Sequence, residues 1–177
     1  EGDGYCWGWN YFAQLGNGDR YVNYSWRPRS EIDSAPNLKV TGVGNFAAVF
    51  PGGIHSCGLT TGSEVYCWGR TEYGQVGTGI SDTYSTSYYV PSPSLITGLY
   101  TWGSLSAGDA HTCAIKTTGE GYCWGLNSNG RLGIGSTISL RSTPTQISGR
   151  PTWMAISAGG AHTCGVTTLG GAYCWGS

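Results

Sequence analysis

"HTCAIKTTGEGYCWG", residues 111–125, reads as a β-hairpin. Two cysteines stand ten positions apart, with Thr117, Thr118 and Gly119 midway between them. Symmetric pairing makes those three residues the loop, with glycine at its last position, where such loops need the left-handed conformation. Cys113 then faces Cys123. Opposed Cβ atoms of an antiparallel pair are about 4.5–5.5 Å apart, slightly wide for a cystine but closed by modest twist. The same words recur at 55–69, "HSCGLTTGSEVYCWG", and at 162–176, "HTCGVTTLGGAYCWG". They predict Cys57–Cys67 and Cys164–Cys174. In the first of these the turn glycine comes one residue early, at Gly62, so a different loop is expected there.

The hairpin is one part of a longer repeat. Each Cys-Trp-Gly opens a glycine-rich tail: "CWGWNYFAQLGNG" (6–18), "CWGRTEYGQVGTG" (67–79) and "CWGLNSNGRLGIG" (123–135). After a variable stretch comes a Pro-to-Gly segment, "PNLKVTG" (36–42), "PSLITG" (93–98) or "PTQISG" (144–149), and then an aromatic residue leading to His-Ser/Thr-Cys. Successive Cys-Trp-Gly words are 61, 56 and 51 residues apart. Several short strands per period of this order are the mark of propeller blades. With 31 Gly, 8 Trp and 12 Tyr but only 11% charged residues, the composition favours short strands and tight turns over helices. A formal net charge of −1 gives no reason to expect nucleic acid or an anionic membrane as partner, and no apolar run reaches the roughly 20 residues of a spanning helix.

In these ordered words the chain resembles the regulator of chromosome condensation repeat family. The resemblance implies an all-β fold of four-stranded antiparallel blades in a seven-bladed propeller. About three blades are expected here, as repeats near 6–66, 67–122 and 123–173 with a partial strand at 1–8. Cys6 would pair with a cysteine ten positions upstream. The expectation is therefore an excerpt of a longer chain, or a ring whose other blades come from other subunits. Family members include a nuclear guanine-nucleotide exchange factor, a plant ultraviolet-B receptor and a secreted β-lactamase inhibitor. The receptor's Gly-Trp-Arg-His-Thr words are not kept: Gly53, Asp109 and Gly160 stand for the Trp, and Ile54, Ala110 and Ala161 for the Arg.

No catalytic residue emerges. His55, His111 and His162 share one repeat position, as a structural residue does and a catalytic one rarely would. The Trp of each Cys-Trp-Gly (Trp7, Trp68, Trp124, Trp175) is expected to pack between blades; a sugar-stacking platform is the alternative. His111, Cys113 and Cys123 share a region where spacing alone leaves a metal set open. Cystines are the expectation, because strong zinc motifs use short Cys-x2–4-Cys steps. Cystines imply an extracellular or secretory setting. No cofactor is implied. Selectivity is expected in "DRYVNYSWRPRSEIDSA" (19–35) and "ISDTYSTSYYVPS" (80–92), whose Tyr21, Tyr24, Trp26, Tyr84, Tyr88 and Tyr89 would line one rim and meet a protein or glycan partner. Asn23 heads a glycosylation word. The expected function is a non-catalytic interaction or structural module. The alternatives are part of a secreted carbohydrate-active enzyme or an intracellular exchange factor.

Overall fold

The structure is a computed structural model that describes residues 2–19, 39–81, 88–149 and 151–177. Three antiparallel sheets follow one another along the chain. The first holds β1 (Phe46–Pro51), β2 (His55–Thr60), β3 (Val65–Arg70) and β4 (Tyr89–Leu95) in sequential order. The second repeats it with β5 (Trp102–Ala107), β6 (His111–Lys116), β7 (Gly121–Leu126) and β8 (Leu140–Gln146). The third is the three strands β9 (Trp153–Ala158), β10 (His162–Thr167) and β11 (Ala172–Gly176). Before them, Tyr5 bridges Lys39, the pairing that Tyr66 and Leu95 make in the first sheet. The prolines of the Pro-to-Gly segments, Pro93 and Pro144, lie in the outer strands β4 and β8, where a missing N–H costs no ladder bond.

The sequence period and the blade are out of phase. The Cys-to-Cys unit 67–122 starts in β3 of one sheet and ends in β7 of the next. Each period therefore carries the join between two blades within it.

Cys57 faces Cys67, Cys113 faces Cys123 and Cys164 faces Cys174, and each pair is a disulfide with Cα atoms 4.0, 4.1 and 4.1 Å apart. Lys116 N–H donates to Glu120 O at 2.9 Å, closing the 117–119 loop with Gly119 at φ 92°. The first hairpin departs from expectation by not departing at all. Thr60 N–H donates to Glu64 O at 2.9 Å, and Ser63 takes the left-handed position at φ 64°. The Cys57–Cys67 register leaves three residues to turn the chain, so the loop geometry is imposed on whichever residue comes third.

The apolar core lies between sheets. One cluster joins Cys57, Cys67 and Val76 to Trp102, Leu105 and Trp124, and a second joins Cys113, Cys123 and Leu132 to Trp153. With the second sheet on one side and the Gln14 segment on the other, β2 is buried along its whole length. First strands touch across blades, β1 with β5 and β5 with β9, more closely than β4 or β8 touches any strand of another sheet. First strands therefore lie toward the common axis and fourth strands splay outward.

Candidate interaction surface

The residues that repeat are consumed at the seams between blades. Thr112 Oγ1 donates to the Gln75 carbonyl at 2.9 Å, which spends its only proton. The 2.7 Å contact between His55 Nε2 and Thr112 Oγ1 is therefore donated by the ring, and Nδ1 is left bare. The Trp124 indole also donates to the Gln75 carbonyl, at 3.0 Å. The next seam repeats this with His111, Thr163, the Arg131 carbonyl and Trp175 at 2.9, 2.8 and 3.0 Å. The preceding seam has Ser56 and Trp68 on the Gln14 carbonyl, both at 2.8 Å. His55 and His111 thus each tie their blade to a strand hydroxyl of the next.

Both bridging rings are fully buried with no partner for Nδ1. Burial pushes His55 down to about 3, helped by the charge of His111 and opposed by the Asp109 backbone. Burial likewise takes His111 down to about 4, helped by Arg131 and His162. Both are neutral at neutral pH.

Trp68 and Trp124 are wholly buried plates, and each lies on the glycine-rich tail of the preceding blade. A Cβ on Gly16, Gly77 or Gly133 would stand 2.6 Å from the indole nitrogen of Trp68, Trp124 or Trp175. Trp7, at the equivalent position, is 64% exposed. Among the described residues no group of three or more His, Cys, Asp and Glu side chains could hold a metal ion. Cys6 is a free, half-buried thiol, pushed up to about 11 by burial.

What varies between blades collects elsewhere. Strand alternation places the β1–β2 turns and the β3–β4 connections on one rim, and the β2–β3 loops and inter-sheet linkers on the other. The first rim carries an aromatic cluster. Trp9, 56% exposed, stacks on Tyr11 at 5.8 Å and meets Phe12 edge-on at 5.6 Å. The Arg70 guanidinium lies 4.5 Å from the Phe12 ring, 5.7 Å from Tyr73 and 5.9 Å from Tyr88, and pairs with Glu72. Of the rim residues expected from sequence, Tyr88 joins this cluster. Tyr89 is the first residue of β4, opposite Arg70. Tyr21, Asn23, Tyr24, Trp26 and Tyr84 lie outside the described residues. Trp9, Tyr11, Phe12 and Arg70 were missed because they sit inside the framework words. The signal was there: "WNYF" in the first tail reads "RTEY" in the second.

Interlocked four-stranded sheets fanning from an axis define the chain as β-propeller blades. The model of the regulator of chromosome condensation (RCC1) repeat matches residues 63–115 and 118–166, more than half of the chain, and the chain belongs to that family. It is 32% identical to the ultraviolet-B receptor UVR8 of Arabidopsis thaliana, over 99% of this chain and 38% of that protein. It is 29% identical to the regulator of chromosome condensation of Xenopus laevis, over 99% and 42%. Yeast RCC1 (Prp20), solved bound to Kap60, superposes with a TM-score of 0.79 at 23% identity, over 96% of this chain and 38% of that one. The chain thus spans about two fifths of the length of each of these three proteins.

Proposed function

We propose that this chain is a non-catalytic interaction module of an oxidising compartment, extracellular or within the secretory pathway, whose protein partner sits on the rim of the β3–β4 connections. One observation carries the reading. The bridging His, Thr and Trp side chains hold blades together, while the half-buried aromatic–arginine cluster, with Trp9 exposed at its edge, lies where the blades differ. Aromatic and arginine side chains are what protein interfaces enrich at their centres. The cystine in each hairpin supports the compartment. The complex of yeast RCC1 with Kap60 supports a protein as the class of partner.

The test is a photo-crosslinking phenylalanine analogue at Tyr88, compared with the same analogue at Leu169 on the opposite rim. A discrete protein adduct from position 88 and none from 169 is expected. Equal adducts from both positions, or adducts to carbohydrate alone, overturn the reading. Mass mapping of the native protein without reduction tests the compartment separately: free Cys113 and Cys123 there would contradict it.

A further inference from the structure

On the opposite rim one of the linker positions that differ between the three blades stands against the hairpin. Register aligns Phe46, Trp102 and Trp153, so the residue two before each is Gly44, Tyr100 or Pro151. In the second blade, Tyr100 covers Tyr122 with ring centroids 5.3 Å apart and meets Trp102 edge-on at 5.5 Å. The Lys116 ammonium sits 4.1 Å from the Tyr100 ring and 4.6 Å from Tyr122, with the Glu120 carboxylate 3.9 Å away. In the first blade, Tyr66 and Glu64 stand where Tyr122 and Glu120 do, but Gly44 replaces Tyr100 and Thr60 replaces Lys116.

The ring and the cation are therefore both missing, and a cleft of about 430 Å³ remains, lined by Gly44, Asn45, Thr61, Gly62, Glu64 and Tyr66. Among the described residues no aromatic ring packs on Tyr66 and Glu64 makes no ion pair; the Tyr66 hydroxyl donates to its carboxylate at 3.4 Å. A Cβ on Gly44 would meet nothing within 4 Å.

We infer that this cleft binds an aromatic ring carrying a nearby positive charge, so that a ligand supplies to the first blade what Tyr100 and Lys116 supply to the second. The ring lies over Tyr66 and the cation faces Glu64, the pairing of aromatic face with cation that is favourable wherever the two meet. The ligand class is an arylalkylamine cation, free or as adjacent aromatic and lysine side chains of a peptide. The site is independent of the partner rim proposed above.

The test titrates the chain with tyramine and with neutral p-cresol, following the amide resonances of Gly44, Gly62 and Tyr66. Saturable shifts are expected with tyramine, and roughly two- to fivefold weaker binding of p-cresol, the range of a single exposed ion pair. Glu64→Gln should remove that difference while sparing p-cresol. Gly44→Tyr, which rebuilds the cover of the second blade, should abolish binding of both, with the other amide resonances unmoved. An Ala-Tyr-Lys-Ala peptide binding more tightly than tyramine assigns the site to protein side chains, and the reverse order to a free amine. Absence of saturable shifts, equal affinity for the two phenols, or binding undiminished by Gly44→Tyr overturns the inference.

Discussion

Ser63 holds a backbone conformation that costs an L-residue about 1 kcal/mol or more and costs glycine far less. Its counterparts Gly119 and Gly170 have φ 92° and 82° in the same loop. Ser63→Gly should therefore stabilise the protein by about 1 kcal/mol, read as a raised denaturant midpoint with an unchanged slope. The buried histidines give a second expectation. Their unfolded value is 6.5 and their folded values are about 3 and about 4, so the folded rings refuse protons that the unfolded chain accepts. Their contribution is complete above about pH 6.5 and is lost as pH falls toward the folded values. At pH 5 each ring should cost about 2 kcal/mol relative to pH 7. Denaturant titrations at the two pH values measure this, and a double His55→Gln, His111→Gln variant should show a shallower acid slope.

The tail and the Trp that lands on it form the element on which the arc depends. Gly77 is at φ 77° beneath the Trp124 indole, so Gly77→Ala adds both backbone strain and a clash. A loss of about 2 kcal/mol or more is expected. Trp124→Ala should cost about 3–5 kcal/mol as a buried large-to-small change. Trp9→Ala should leave stability within about 0.5 kcal/mol and weaken partner capture instead. Thermal midpoints against crosslinking yield separate the two behaviours. The hairpins were legible because their logic is local: two cysteines and a turn within 15 residues. The seams were not. His111 meets Thr163, 52 residues away, and nothing near His111 names that partner. The cleft was silent for another reason. A glycine such as Gly44 has no side chain to announce itself, and its meaning appears only when the fold sets it beside Tyr100.

At the scale of the whole molecule, the cystines are not equally reachable. Cys57, Cys67, Cys113 and Cys123 are wholly buried between sheets, whereas Cys174 is exposed and Cys164 half-buried. Mild thiol treatment of this 177-residue chain should open Cys164–Cys174 first, because exchange requires a thiolate to reach a sulfur. Timed alkylation and mass mapping would show it; simultaneous opening of all three would mean that reduction passes through global unfolding. The repeat and its all-β blades were readable from sequence, since each period restates its landmarks in order. The phase between period and blade was not, since the repeat of a circular pattern has no privileged starting point.

The seams also have a sense. Each blade offers its neighbour on one side a histidine donor and a tail carbonyl, and offers its neighbour on the other a hydroxyl and an indole. The two faces are different surfaces, complementary to each other and not to themselves. Two copies of one face do not reproduce these bonds about a two-fold axis, because the hydroxyl and indole that the histidine and carbonyl meet lie on the other face. Association that reuses these bonds is heterologous, head to tail, with every blade pointing the same way around the axis. Repetition of the bonding pattern thereby becomes rotation, and a fixed handedness of assembly is written into the direction of a few donated protons.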